Sequence, residues 1–195
     1  MSLSPEEQAR ADFYALLARL FYGPPDAPLL AGLAASGPLA GDDPAAPLAL
    51  AWSALRKAAG AADPDAVREE YESAFIGTGK AEVTLYTSAY TVKSAVDNPL
   101  VDIRAFMSRH GLSRRADAFE PEDHLAALFE VMRHLIVEGE DMLDEQRAFF
   151  EQFIGGGSVL LCDAIDRSPN TVFYRSVAKV ARAFVEIEQA ALDMK

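Results

Sequence analysis

Glu120-Pro121-Glu122-Asp123-His124-Leu125-Ala126-Ala127-Leu128-Phe129-Glu130-Val131-Met132-Arg133-His134-Leu135-Ile136 is the stretch from which the rest of the chain is read. Leu125, Leu128, Met132, Leu135 and Ile136 recur at intervals of three and four, which predicts a long helix with an apolar inner face. Pro121 suits a first helical turn, so the spacing predicts a helix from Pro121 that ends at Gly139. Glu120, Glu122 and Asp123 complement the positive end of a helix dipole, whereas a charged His124 in the same turn opposes it. That mismatch marks the turn as more than a helix start. Asp123 and His124 either order a neighbouring loop or receive a ligand.

Outward from this stretch the helical period continues. Ser4-Pro5-Glu6-Glu7 combines a cap, a first-turn proline and a glutamate placed for a capping box. Phe13, Leu16, Leu17, Leu20 and Phe21 follow on one face, and Gly23-Pro24-Pro25 stops the helix. A short apolar segment spans Leu29 to Leu33, and Gly37 to Pro47 reads as a loop. Leu48, Trp52 and Leu55 mark a third helix. Asp63-Pro64 opens a fourth, with Val67, Tyr71, Ala74 and Phe75 inside. Trp52 and Phe75 are expected in the core.

Lys80 to Thr87 lacks helical spacing and reads as an extended loop. Ser88 is placed to cap a short helix around Tyr90 to Ala95. Asn98-Pro99 opens another, carrying Ile103, Phe106 and Met107 and closed by Gly111. Leu112 to Phe119 is a charged connector and a candidate hinge. Beyond the central helix, Asp141 to Ile154 is helical, Gly155-Gly156-Gly157 predicts a break, and Val159 to Ile165 is a short apolar run. Asn170 is placed to cap a last helix with Phe173, Val177, Val180, Phe184 and Ile187 on its stripe. The expected fold class is all-α, an irregular helical globule of about nine helices. Residues 1–195 are expected to form a single domain.

Composition narrows the function. The chain has 195 residues, 50% of them hydrophobic, so one domain can bury roughly 70% of its unfolded surface. Eighteen Lys and Arg against 30 Asp and Glu give a net charge of -12. That charge is unsuited to nucleic acid and to anionic lipid, and it favours a basic partner. The single cysteine, Cys162, excludes an intramolecular disulfide and cysteine-based metal clusters. Its apolar neighbours predict a buried structural thiol. The start, Met1 to Arg10, does not resemble a signal peptide, and no apolar run approaches the ~20 residues of a membrane span. The expected compartment is the cytoplasm.

Other chemistry is weaker. Gly77-Thr78-Gly79-Lys80 is followed by Ala81 and preceded by no strand, so it is not a Walker loop and reads as helix termination. Glu120 and His124 are four apart, as are Glu130 and His134. Di-metal bundles, however, use a Glu-x-x-His spacing and two further bridging carboxylates, and the two histidines here sit about 80° apart around a helix. No metal or cofactor is therefore expected. His134 reads as a half-buried helix residue and His110 as a cation at a helix C-terminus. Ser113-Arg114-Arg115 is internal and reads as a solvated connector.

Several stretches, in order, carry a family resemblance. They are Phe13-Tyr14-x-x-Leu17-x-x-Leu20-Phe21, Tyr71-Glu72-x-x-Phe75-Ile76-Gly77-x-Gly79, Leu85-Tyr86-Thr87-Ser88-Ala89-Tyr90, Glu120-Pro121-Glu122-Asp123-His124-Leu125 and Phe173-Tyr174-Arg175. Together the sequence resembles the cytoplasmic redox-enzyme maturation chaperones of the TorD/DmsD/NarJ type. The Glu-Pro-x-Asp-His turn is the family's most specific motif. The family often has Pro where this chain has Thr84 or Leu85, and Trp where it reads Leu160-Leu161-Cys162. These departures bear on subfamily and client.

The resemblance implies an all-helical, non-enzymatic protein. It implies as partner the precursor of a molybdopterin-dependent oxidoreductase, bound through its twin-arginine signal peptide and held while the molybdenum cofactor is inserted. The site residues so implied are Tyr86, Ser88 and Tyr90 on the irregular loop and Glu120, Asp123 and His124 on the turn. The turn either receives arginine from the peptide or braces the Tyr86 loop. A monomer or a helix-exchanged dimer is expected. A helical-bundle metalloenzyme and a helical interaction module with an unrelated partner are the alternatives.

Overall fold

The computed structural model describes residues 3–39, 43–77, 81–94, 97–115, 119–139 and 142–194. The helices are α1 (Pro5–Tyr22), α2 (Ala27–Ala35), α3 (Pro47–Ala61), α4 (Pro64–Tyr71), α5 (Ser88–Thr91), α6 (Pro99–Arg109), α7 (Leu125–Glu138), α8 (Leu143–Phe149), α9 (Gly155–Arg167) and α10 (Phe173–Asp193). Single π-turns, Glu72–Ile76 and Phe150–Ile154, continue α4 and α8. Among the described residues there is no β-strand, only an isolated antiparallel bridge between Tyr86 and His124. The all-α expectation holds. Thr78, Gly79 and Lys80 of the glycine run, Ala95, residues 116–118 of the connector, and Asp141 lie outside the described residues.

The chain forms two compact units, each from two separated segments. One comprises Met1–Tyr22 and Leu85–Ser158, the other Gly23–Thr84 and Val159–Lys195.

In the first unit α1 packs along α7. The predicted capping box opens α1: Glu7 N–H donates to Ser4 Oγ at 3.1 Å, and Ser4 N–H to Glu7 at 2.9 Å. The buried face is Tyr14, Leu17, Leu20 and Phe21. Phe13 and Leu16, predicted inside, are half-buried, because the face is centred one residue further on. Tyr14 meets Phe129 of α7 edge-on, ring centroids 5.5 Å apart. Phe106, Phe149 and Phe153 form a second aromatic group, with neighbouring centroids 4.8–6.2 Å apart.

Three boundaries differ from the sequence reading. The short helix expected around Tyr90 to Ala95 with Ser88 as its cap is α5, which begins at Ser88 and ends at Thr91, with Thr87 at the cap position. The central helix begins at Leu125, not Pro121, because His124 caps it and residues before it pair with another segment. The triple glycine does not break the chain, because the π-turn passes directly into α9. Its third glycine instead permits close packing. A Cβ on Gly157 would lie 2.9 Å from Thr87 Cβ and 3.2 Å from Thr91 Cγ2. The run Leu143–Arg167 is by length and composition apolar enough to cross a membrane, which the sequence reading did not anticipate. Phe149, Phe150, Ile154, Leu161 and Ile165 within it are buried, as in a core helix. Cys162 is buried too, and burial pushes its thiol up to about 12.

In the second unit α3 packs against α2 and α10, and α4 against α10. Tyr71, Phe75 and Tyr174 cluster with centroids 4.9–5.5 Å apart. Trp52 is buried, its indole N–H donating to Gly37 O at 3.0 Å. Asp63 caps α4 as predicted, accepting from Asp65 and Ala66 N–H. Gly77, at φ +62, closes the following π-turn in a conformation that favours glycine.

Asn170 does not cap α10; its amide donates to Glu82. The cap comes from α4. The Glu70 carboxylate accepts from the N–H groups of Val172, Phe173 and Tyr174 at 2.9, 3.0 and 2.8 Å. A carboxylate at a helix N-terminus gains from both hydrogen bonds and dipole. Glu70→Ala is expected to cost about 2–3 kcal/mol by urea unfolding, since it orphans three N–H groups at once. Glu70→Gln, which keeps one acceptor, should fall between wild type and alanine.

Candidate functional site

The site lies in the first unit, where the segment preceding α5 runs beside the turn preceding α7. Leu125 N–H donates to Leu85 O at 2.9 Å, and Thr87 N–H to Asp123 O at 3.0 Å. The Thr87 hydroxyl also reaches Asp123 O, at 3.3 Å. Side chains repeat the pairing: the Tyr86 hydroxyl donates to the Glu120 carboxylate, and the Ser88 hydroxyl to Asp123 Oδ2. The Tyr86 ring stands edge-on to His124, centroids 5.5 Å apart. Five of the six predicted residues thus form one latch. Tyr90, the sixth, is half-buried on α5.

Burial sorts these groups. Asp123 and His124 are each 4% exposed, and Thr87 is equally buried. Tyr86, Ser88, Tyr90 and Glu120 remain partly accessible. Asp123 Oδ1 is buried without a hydrogen-bond partner among the described residues. His124 resolves the mismatch seen in the sequence. Its Nδ1 accepts from Ala126 N–H at 3.2 Å and so caps α7. An accepting Nδ1 places the proton on Nε2 and requires a neutral ring. Burial lowers the His124 pKa, against the opposing pull of Glu120 and Asp123. Burial and the bond to Glu120 push Tyr86 up to about 12.

Glu122 serves a different purpose. Arg104 Nη2 lies 2.9 Å from it and Arg114 Nε 3.7 Å. The Arg104 bond holds its carboxyl below the usual range. Thr87, Arg104, Glu122 and Gly157 all contribute to the latch region, and sequence reasoning did not single them out as site residues. Thr87 and Glu122 carried a signal, their places within the loop and turn motifs.

Two hollows adjoin the latch. A groove of about 500 Å³ is lined by Glu120, Glu122 and His124, by Ala18 and Tyr22 of α1, and by one face of α7. A smaller polar cleft of about 180 Å³ is lined by Thr87, Ser88, Thr91, Asp97, Asn98 and Asp102, among others.

The metal alternative loses its geometry. Glu120 lies off the helix, Glu130 pairs with Arg133 at 2.9 Å, and His134 faces Glu138 at 3.7 Å. Among the described residues no group of three His, Cys, Asp or Glu side chains is placed to hold a metal ion. His110 closes α6 beside Glu145, at 3.2 Å. The Ser113–Arg115 run is exposed, as a solvated connector is, and also lines the groove.

Residues 42–155 match the family described as nitrate reductase delta subunit. The chain is similar to curated proteins named "Chaperone protein TorD". It is 32% identical over 75 residues to that of Photobacterium profundum, covering 37% of this chain and 35% of the relative. It is 29% identical over 87 residues to that of Aliivibrio fischeri, covering 44% and 40%. It is 23% identical over 129 residues to that of Vibrio cholerae, covering 61% and 59%. The matches thus span 35% to 59% of these relatives' length.

Proposed function

Because the chain belongs to the nitrate reductase delta-subunit family, one of TorD-type maturation chaperones and not of enzymes, we propose that it is a cytoplasmic chaperone for a molybdopterin-dependent oxidoreductase. It binds the twin-arginine signal peptide of the precursor and holds the client until its molybdenum cofactor is inserted. The chain acts as one chaperone domain.

The observation that carries this reading is the latch. The Tyr86–Ser88 segment is fixed to the Glu120–His124 turn by paired backbone and side-chain bonds. This holds the accessible Tyr86, Ser88, Tyr90 and Glu120 as a recognition surface, while Asp123 and His124 position it from beneath. Tyrosine suits such a surface because its body is apolar and its tip hydrogen-bonds. A basic signal tip meets an acidic chain, and each charge-assisted bond to arginine contributes about 1.5–3 kcal/mol. Micromolar affinity needs about 8 kcal/mol net of the peptide's ordering cost. Such moderate binding permits release.

Calorimetry with twin-arginine signal peptides from molybdoenzyme precursors tests the reading. The expected result is micromolar binding that weakens with salt. Glu120→Gln should weaken it about threefold to tenfold, with the far-UV dichroism unchanged. No heat with any such peptide would overturn the proposal.

A further inference from the structure

The smaller hollow beside the latch, of about 180 Å³, is lined by the hydroxyl residues Thr87, Ser88 and Thr91. All three give their hydroxyl protons to acceptors within the protein: Thr87 to Asp123 O, Ser88 to Asp123 Oδ2 and Thr91 to Thr87 O. Carbonyl and carboxylate oxygens only accept, so each hydroxyl has only lone pairs left to offer the cleft. Two carboxylates join them, Asp97 and Asp102. Asp97 Oδ2 accepts from the backbone N–H groups of Lys93 and Ser94. Asp102, exposed in the first turn of α6, has no side-chain hydrogen bond or ion pair among the described residues. The amides of Asn98 and Gln152 suit either role. The rest of the polar lining accepts and holds no cation.

A third carboxylate stands behind Ser88. Asp123 is 4% exposed, and its side chain is directed at the cleft wall through the bond from Ser88 to Oδ2. Its Oδ1 is, among the described residues, the one buried side-chain oxygen without a hydrogen-bond partner. An acceptor left open in this way is rare in a folded protein and calls for a donor. The basic residues nearest in sequence do not supply it. Arg104, next to the lining Ile103, is held by Glu122 at 2.9 Å, and Lys93 does not line the cleft. The remaining walls, Pro99, Ile103 and Phe153, are apolar. Such a lining disfavours an anion, and it separates the two basic side chains. Lysine is a strongly hydrated point charge, whereas the guanidinium of arginine is planar, less hydrated, carries five donors and stacks on aromatic faces.

We propose that this cleft is a guanidinium subsite, in which Ser88, Thr91, Asp97 and Asp102 receive one arginine side chain. Asp102 is its charge partner, and the hydroxyls accept from its other donors. The inference rests on the chaperone reading for that arginine belonging to the signal peptide of the client. Glu120 lines the larger groove and not this cleft, so the subsite is separate from the contact already assigned to Glu120.

Titration of N-acetyl-arginine amide into the isotope-labelled full chain, followed by NMR, tests the chemistry without a signal peptide. The backbone signals of Ser88, Thr91 and Asp102 should shift together and saturate in the millimolar range. N-acetyl-lysine amide should bind about threefold or more weakly. Asp102→Asn should weaken arginine binding about threefold, and Asp102→Lys should abolish the shifts. Thermal midpoints should stay within a few degrees, since Asp102 is exposed and holds no other side chain. Absent or scattered shifts, equal binding of the lysine amide, or an unaffected Asp102→Asn would overturn the proposal. So would calcium chloride moving the same signals at lower concentration, which marks a metal site instead. A twin-arginine signal peptide separates the two readings. If it binds wild type and Asp102→Asn alike, the chaperone reading stands and the subsite falls. If the arginine amide behaves as expected and no signal peptide binds, the subsite holds and the signal-peptide reading fails.

Discussion

Gly156→Ala is expected to stabilise the protein by about 0.5–1 kcal/mol, and Gly157→Ala, one residue on, to destabilise it by about 1–2 kcal/mol. Both glycines lie in the first turn of α9, where alanine is intrinsically the better helix former. A Cβ on Gly156 meets nothing within 4 Å, so the propensity gain stands. A Cβ on Gly157 lies 2.9 Å from Thr87 Cβ and 3.3 Å from Thr87 O. Neither atom is the end of a flexible side chain. Thr87 is buried and bonded through both N–H and hydroxyl to Asp123 O, so the overpacking outweighs propensity. Gly157→Ala should also weaken signal-peptide binding, because Thr87 lies inside the latch. Urea midpoints of the two variants moving in the same direction would refute this account of the triple glycine.

The second large effect concerns His124. His124→Ala removes the cap of α7, about 1 kcal/mol, and the edge contact with Tyr86, about 0.5–1.5 kcal/mol. The cavity left in a buried position adds to both. A loss of about 2–4 kcal/mol is expected. His124→Asn keeps an acceptor at the cap position and should recover about 1 kcal/mol of it.

The pH dependence has a definite sign. The folded pKa of His124 lies below its ordinary value of 6.5, so on acidification the unfolded chain takes up the proton first. His124 therefore contributes stability that is whole above about pH 6.5 and is lost as pH falls toward the folded value. Glu120 and Asp123 oppose the shift without reversing it. The readout is the difference between wild type and His124→Asn. Unfolding at pH 7.5 and 5.5 should show a smaller acid loss in the variant. An equal loss in both would show that the ring is not held neutral by the fold.

Much of this was legible in the sequence. The apolar period of Leu125 to Ile136 revealed the central helix, and the capping box at Ser4 and Glu7 is where the residues put it. The Tyr86 loop and the Asp123-His124 turn were identifiable as motifs, and five of their residues meet. Their division into accessible and buried groups was not legible, because it depends on a backbone bridge between distant segments. The helix start moved from Pro121 to Leu125 for the same reason: acids and proline are local signals, and the tertiary pairing of Asp123 with Thr87 overrides them. Asn170 lost the cap of α10 to Glu70, which no local window contains. Arg114 and Arg115 of the groove read in the sequence only as part of a solvated connector, and only placement singles them out.

The cap that Glu70 places on α10 bears on how the chain is made. Glu70 leaves the ribosome 102 residues before Val172, so α4 must wait through most of translation for the helix it caps. The second unit cannot close until α10 has emerged, whereas Met1–Tyr22 and Leu85–Ser158 are complete earlier. A nascent chain from which Ser158 has just emerged holds every residue of the latch outside the ribosome, with α3 and α4 still lacking their partner. Such a species is more exposed to aggregation and proteolysis than the finished protein.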